Sequence, residues 1–193
     1  MIRRIGLVCG LLIMLTSCGS HDYSPKPRGY FRIEFPAKAY QQYDGGCPFV
    51  FEYPKYAVIE PDKAPGAKPC WLNMQFPQFN GTLHISYEDI TSQKKFNTLV
   101  EDAHTFAFKH TVKASSIVET LIIHPDRKLY GIYYTIDGNA ASSAQFFLTD
   151  STKHYLRGAL YFKTEPRIDS IQPVLNFVKK DMDVMIKSFR WKN

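Results

Sequence analysis

No stretch of this sequence is apolar for long enough to cross a bilayer as a helix. The longest uncharged, mostly apolar run covers residues 5–15, well short of the roughly 20 that a spanning helix needs. No GxSxG, GxxxxGK[ST], HExxH or GxGxxG segment occurs. That removes the motif-based cases for an α/β-hydrolase, a P-loop enzyme, a zincin and a dinucleotide-binding fold. No run of Lys and Arg is dense enough for a nucleic-acid arm, and there is no internal repeat or long low-complexity stretch. Cysteine is scarce, with four in the chain.

What is present begins with a leader. Arg3 and Arg4 supply a short basic start, the apolar run follows, and it ends in Leu15-Thr16-Ser17-Cys18. That pattern is a signal peptide closed by a lipobox: a large aliphatic residue, two small ones and a cysteine. Cleavage between Ser17 and Cys18 is expected, with the Cys18 thiol carrying a diacylglycerol. The mature chain would then be held to the membrane by lipid, at about 0.8 kcal/mol per buried methylene. Gly19, Ser20 and His21 follow without an acidic cluster, which favours an envelope lipoprotein facing the periplasm; the choice of membrane stays open.

Removing residues 1–17 leaves 176 of the 193 and, with Arg3 and Arg4 gone, lowers the formal charge from +6 to +4. This is enough for one domain with a sizeable core. Cys9 leaves with the leader and Cys18 takes the lipid, so Cys47 and Cys70 remain. An even pair in an exported protein reads as a disulfide. Two free thiols are the alternative; a metal pair is disfavoured because neither cysteine has a CxxC partner or a nearby histidine.

Residues 18–29 form a polar tether that Pro25 and Pro27 bias toward an extended path. A single globular region is expected from residue 30 to the end. Short aromatic and β-branched runs predict strands at 30–35, 47–53, 56–60, 70–76 and 82–87, with a tight turn at Asn80-Gly81. From Gln93 the period changes: Phe96, Leu99, Val100, Ala103, Phe106, Ala107 and His110 share one helical stripe. Strands follow at 117–124, 129–136, 141–148 and 155–162, the last two paired across residues 149–153. Asp169 or Ser170 caps a terminal helix with Pro173 in its first turn. Its stripe runs through Ile171, Val174, Leu175, Val178, Met182, Met185, Ile186 and Phe189. The fold class is therefore α+β, a twisted antiparallel sheet with two long helices packed on it. The order of elements resembles the PsbP-like sandwich, including a Phe-x-Tyr-Pro strand at Phe51–Pro54.

Catalytic readings find little support. His104 and His110 share a helix, but a spacing of six puts them about 120° apart, wrong for a zinc pair. Ser142, Ser143, Asp150 and His154 invite a hydrolase triad, yet both serines fall in a strand without a strained turn or oxyanion loop. Glu88-Asp89, and Asp181 with Asp183, read as solvated faces. No catalytic residue and no cofactor is expected.

Two segments are too particular for generic loop or strand. The first, PKPRGYFRI, sets Arg28, Tyr30 and Arg32 on an extended stretch beside the anchor, a mix enriched at protein interfaces. The second, GNAASSAQ, makes a low-relief surface around Asn139, Ser142 and Ser143 that another backbone could approach. The chain closely resembles the gliding-motility lipoprotein GldD family of the Bacteroidota. The resemblance is carried by Cys18, YSPKPRGYFRIEFP (Tyr23 to Pro36), CPFVFEYPKYAVIEPD (Cys47 to Asp62), CWLNMQFPQFNG (Cys70 to Gly81) and GNAASSAQFFLTDSTKHYLRGALYF (Gly138 to Phe162). It implies a non-enzymatic envelope component required for gliding and the coupled type IX secretion machinery. Its partners would be other gliding lipoproteins and envelope proteins, with no nucleic acid. It supports Cys18 as the lipid site, the Cys47/Cys70 pairing, and both segments as interfaces. The competing reading is a small-ligand or lipid binder with a pocket between sheet and helices.

The anchor is directly testable. Cys18→Ser is expected to abolish incorporation of a labelled fatty acid and to leave uncleaved or mislocalised precursor; label persisting on the substituted protein would refute the assignment.

Overall fold

Runs that alternate aromatic or β-branched with polar residues, each closed by Pro, Gly or Asn, become strands here. The computed structural model describes residues 32–164 and 168–192, which from Glu34 onward form one compact unit. In chain order these are β1 (Tyr40–Tyr43), β2 (Phe49–Pro54), β3 (Val58–Pro61), β4 (Leu72–Phe76), β5 (Gly81–Asp89), helix α1 (Gln93–Phe108), β6 (Ala114–His124), β7 (Leu129–Gly138), β8 (Ser142–Thr149), β9 (His154–Phe162), helix α2 (Ile168–Ser188) and β10 (Arg190–Trp191). Seven strands make one antiparallel sheet in the order β3-β4-β5-β9-β8-β7-β6, and β1-β2-β10 make a small second sheet. The α+β class holds, with two adjustments. β1 and β10 are too short to show a period and exist because β2 offers both its edges to them. Arg32 to Phe35, expected as strand, carry no regular structure.

The large sheet buries both faces. Against one lie α2 and the small sheet, where Phe49, Phe51, Leu148, Leu156, Val178, Met182 and Phe189 close a continuous core. Against the other lies α1, whose Ala103 and Ala107 meet Tyr134, Ile136, Phe147 and Tyr155. Small residues on α1 let it approach the sheet closely. Ser92 caps α1, accepting from the Lys95 amide at 3.2 Å. α2 starts earlier than expected, at Ile168, so Pro173 sits inside the helix rather than in its first turn. β8 is buried along its whole length, as a central strand covered on two sides must be. Gly131 of β7 is required there, since a Cβ would run into the Phe147 carbonyl of the neighbouring strand.

One polar cluster crosses this core. Asp181 of α2, expected on a solvated face, is only 2% exposed. Lys38 donates to its Oδ2 at 2.7 Å, Tyr40 to its Oδ1 at 2.9 Å, and Tyr56 also donates to Oδ2. Lys38 donates further to the Phe177 carbonyl at 3.0 Å and lies 3.3 Å over the Phe177 ring. Phe35 stacks on that ring at 4.5 Å, and Phe79 meets both Phe35 and Phe177. Gln78 donates to the Glu34 carbonyl at 2.7 Å. The segment from Glu34 to Lys38 is thus clamped to α2 and to the β4–β5 turn.

Cys47 and Cys70 form a disulfide with Cα atoms 5.7 Å apart, joining the approach to β2 with the approach to β4. Their separation of 23 residues gives an entropic contribution of about 3 kcal/mol on the chain-entropy model. Cys47→Ser or Cys70→Ser should lower the free energy of unfolding by that order. The urea midpoint measures it, and an unchanged midpoint would show that the bridge contributes nothing.

Burial, and then hydrogen bonding to Asp181, raise the pKa of Tyr40 from 10.0 to about 12; the same causes push Tyr56 up further. A phenol with a raised folded-state pKa stabilises fully below its unfolded value and loses that contribution as pH climbs through 10 toward 12. Tyrosinate absorbance should therefore rise in two phases, the second coincident with loss of circular dichroism. Titration of all twelve tyrosines near pH 10 in an intact fold would contradict this.

Candidate functional site

The two edges of the large sheet differ. β3 has four residues and ends in Glu60-Pro61, the short, charged, proline-closed form that blunts strand pairing. β6 has eleven residues and, among the described residues, pairs on one side only, with β7. A register shift between Ala114 and Ser116 bulges its start and Pro125 ends it. The stretch between carries a single charge, Glu119, which sits 3.6 Å from His104 of α1.

Three of the seven large apolar side chains most open to water lie on this one strand. Val118 is 52% exposed, Leu121 68% and Ile123 57%, with Val112 and Phe106 nearby in sequence at the end of α1. Alternation explains the arrangement. Ile122 turns into the core under α2 and is 8% exposed, so Val118 and Thr120 share its face. Leu121 and Ile123 point the other way, opposite Ile132 and Tyr130 of β7. An open groove flanks each face. On the α2 side, about 440 Å³ lies between Thr120, Ile122, Tyr133 and Ile186. On the α1 side, about 400 Å³ lies further in, between Phe96 and Val100 of α1 and Tyr130 and Phe147 of β7 and β8. Burial raises the Tyr133 phenol well above its usual range, so it stays a neutral donor beside the first groove. An extended segment pairing with β6 would set alternate side chains on the two faces, those of one face beside the groove at Thr120 and Ile122.

The residues singled out from sequence fare unevenly. Ser17, Cys18, Arg28 and Tyr30 lie outside the described residues. Arg32 is exposed. Asn139 is exposed in the β7–β8 connection. Ser142 and Ser143 are 0% and 3% exposed, which corrects their assignment as partner contacts: the low relief of GNAASSAQ serves packing in a central strand. The triad reading also falls. Ser142 lies opposite Tyr161, whereas Asp150 and His154 lie at the far end of the β8–β9 ladder, roughly 24 Å away at strand rise. The Ser142 hydroxyl instead reaches the Ala144 carbonyl at 3.4 Å.

β6 itself escaped the sequence reading as a site, although its signal was present. In IVETLII both parities are apolar, which fits a strand with apolar neighbours on two faces, and only topology reveals that β6 is an edge.

A family model described as gliding motility lipoprotein GldD matches residues 20–191. No curated protein matches the sequence. Among solved structures, the chain is similar to cyanobacterial PsbP (CyanoP) from Synechocystis sp. PCC 6803 in solution. The TM-score is 0.51 at 13% identity, over 81% of this chain and 94% of that one. At that identity the likeness concerns the fold alone, and it agrees with the sandwich expected from the element order. Among the described residues no helix is long and apolar enough to cross a membrane.

Proposed function

The chain belongs to the gliding motility lipoprotein GldD family, and from that membership we propose that it acts as a lipid-anchored assembly component. Its role would be to hold a partner protein of the gliding and type IX secretion apparatus by strand addition to β6. The observation that carries this reading is the contrast between the two sheet edges: β3 is blunted, whereas β6 is long, apolar and unpaired. Natural sheets suppress such edges unless they are used, because unpaired N–H and C=O groups recruit strands indiscriminately.

The partner segment is defined by what it would meet. Backbone pairing requires an extended strand. The near absence of charge along β6 favours an uncharged segment with apolar side chains at alternate positions, those on one face above Leu121 and Ile123 and those on the other beside Val118. The surrounding lipoprotein is expected to face the periplasm from its Cys18 anchor, where such a segment of an envelope protein is accessible. Arg28, Tyr30, Arg32 and Asn139 are secondary contact candidates on the same argument of composition.

The test is a double substitution, Leu121→Lys with Ile123→Lys, in the full-length lipoprotein. Both side chains already face water, so the melting temperature and abundance should hold, while a lysine pair on the edge opposes strand addition. Interface residues of this kind are worth about 2 kcal/mol or more, roughly thirtyfold in affinity. Gliding and type IX export should fail, and cross-links from β6 to a partner should disappear. Normal gliding with a folded, abundant double variant would end the proposal.

A further inference from the structure

At the end of the large sheet opposite the Pro77–Asn80 turn, three elements converge on a cavity of about 380 Å³. The Pro125–Arg127 turn brings Arg127 and Lys128, the β8–β9 loop brings Lys153, and the C-terminal strand brings Arg190, Trp191 and Lys192. Five cationic side chains thus line one hollow. Two acids share it, Asp126 and Asp150, but Asp150 is turned onto its own loop. Its Oδ1 accepts from the amides of Thr152, Lys153 and His154 at 2.8–2.9 Å, and its Oδ2 accepts from the Thr152 hydroxyl. Burial pushes its carboxyl up, yet those bonds together hold it below its ordinary value, so it remains a spent anion.

Part of this charge has a structural use. Arg127 and Arg190 both donate to the Lys187 carbonyl at the end of α2, and Arg190 also donates to Phe189, which complements the negative pole of the helix. Lys192 pairs with Asp44. The remainder has none. Lys128 and Lys153 have no ion-pair partner among the described residues. The Nε of Arg127 and the indole Nε1 of Trp191 are buried donors with no hydrogen-bond partner among the described residues, an unfavourable arrangement unless a ligand meets it. Burial first, then Arg190, pull Arg127 below its usual pKa; an incoming anion would relieve both. His154 completes the wall. Tyr87 donates to Asp89 at 2.6 Å and lies 2.7 Å from the His154 Nδ1, so the phenol oxygen accepts from Nδ1–H. The ring is held stacked on Trp191 at 5.2 Å.

We infer that this cavity binds a phosphate-bearing anion, with Lys128 and Lys153 as its principal ligands and the unmet donors of Arg127 and Trp191, buried in its wall, as further ones that a seated anion would engage. Phosphate fits better than a lone carboxylate because it offers three or more acceptor oxygens and up to two charges to donors arriving from three directions. The volume leaves space for an ester substituent beyond the phosphate itself. Neither the family nor the sheet edge requires this site, so it stands apart from the strand-addition reading.

The experiment is calorimetric titration of the full-length lipoprotein, in micelles of an uncharged detergent at constant ionic strength, with inorganic phosphate and with pyrophosphate. Saturable binding is expected, stronger for pyrophosphate. Lys128→Gln with Lys153→Gln should weaken it tenfold or more without moving the unliganded melting temperature. Trp191→Phe, which removes the orphaned N–H together with part of the ring that packs on His154 and Phe189, should weaken it severalfold with an unchanged unliganded melting temperature, and serves where the double variant folds poorly. Displacement of pyrophosphate by phosphatidylglycerol doped into the micelles would identify a lipid headgroup as the source, and lack of displacement a soluble phosphate compound. No saturable heat from either anion, or full affinity in both variants, would overturn the inference.

Discussion

A carboxylate buried in the middle of the terminal helix sets the geometry of everything the chain presents to its surroundings. Taking Asp181 out of water is costly unless charge and hydrogen bonds replace the lost solvation. Three groups provide that replacement, Lys38, Tyr40 and Tyr56, and all come from the first stretch of the described chain. The carboxylate therefore cannot be satisfied until residues 38–56 have found α2. Lys38 is itself a compromise: burial pulls its ammonium below the ordinary pKa, and Asp181 restores only part. Apolar residues of similar volume could pack here at comparable stability. What the polar cluster adds is register, because only one placement of residues 38–56 brings all three donors to one side chain.

That register explains why the β6 edge can stay open without being a defect. α2 is pinned along one flank by the Asp181 cluster and the Phe35–Phe79–Phe177 rings, so it cannot slide across the sheet to cover β6. On the opposite face α1 is drawn inward by Ala103 and Ala107, whose short side chains fix it over β7, β8 and β9. Both covering elements are thus held toward the middle of the sheet, and of the last strand only Ile122 is tucked into the core while Val118, Leu121 and Ile123 stay in water.

The strong periodicities were legible in the sequence, and so was the class they imply. α1, α2 and the β8–β9 pairing follow from stripes and alternation alone, because each buries one defined face. Three features were not legible, for separate physical reasons. β1 and β10 have too few residues for a period and exist only as partners of β2. Asp181 sits at a helix position next to Met182 and Val178, and nothing local distinguishes it from the exposed Asp183; its donors arrive from more than 120 residues away. Ser142 and Ser143 look like surface residues by composition, yet they lie in the one strand buried along its whole length. The edge character of β6 is a property of strand order, which no window of sequence contains.

Strand order also keeps the β6 edge and the cationic cavity apart. The register of the large sheet puts Gly81, Phe162, Ser142 and Ala114 at one end, and Asp89, His154, Thr149 and His124 at the other. Glu34 is held at the first end by Gln78, and the cationic cavity lies at the second, while β6 runs along the side. A strand docked on β6 would touch neither end along most of its length. Because β6 and the β8–β9 loop are bound through a rigid, doubly covered sheet, occupancy of one need not distort the other. Coupling between them would have to pass through His124 and the Pro125–Arg127 turn, the short connection by which the edge strand runs directly into the cavity wall.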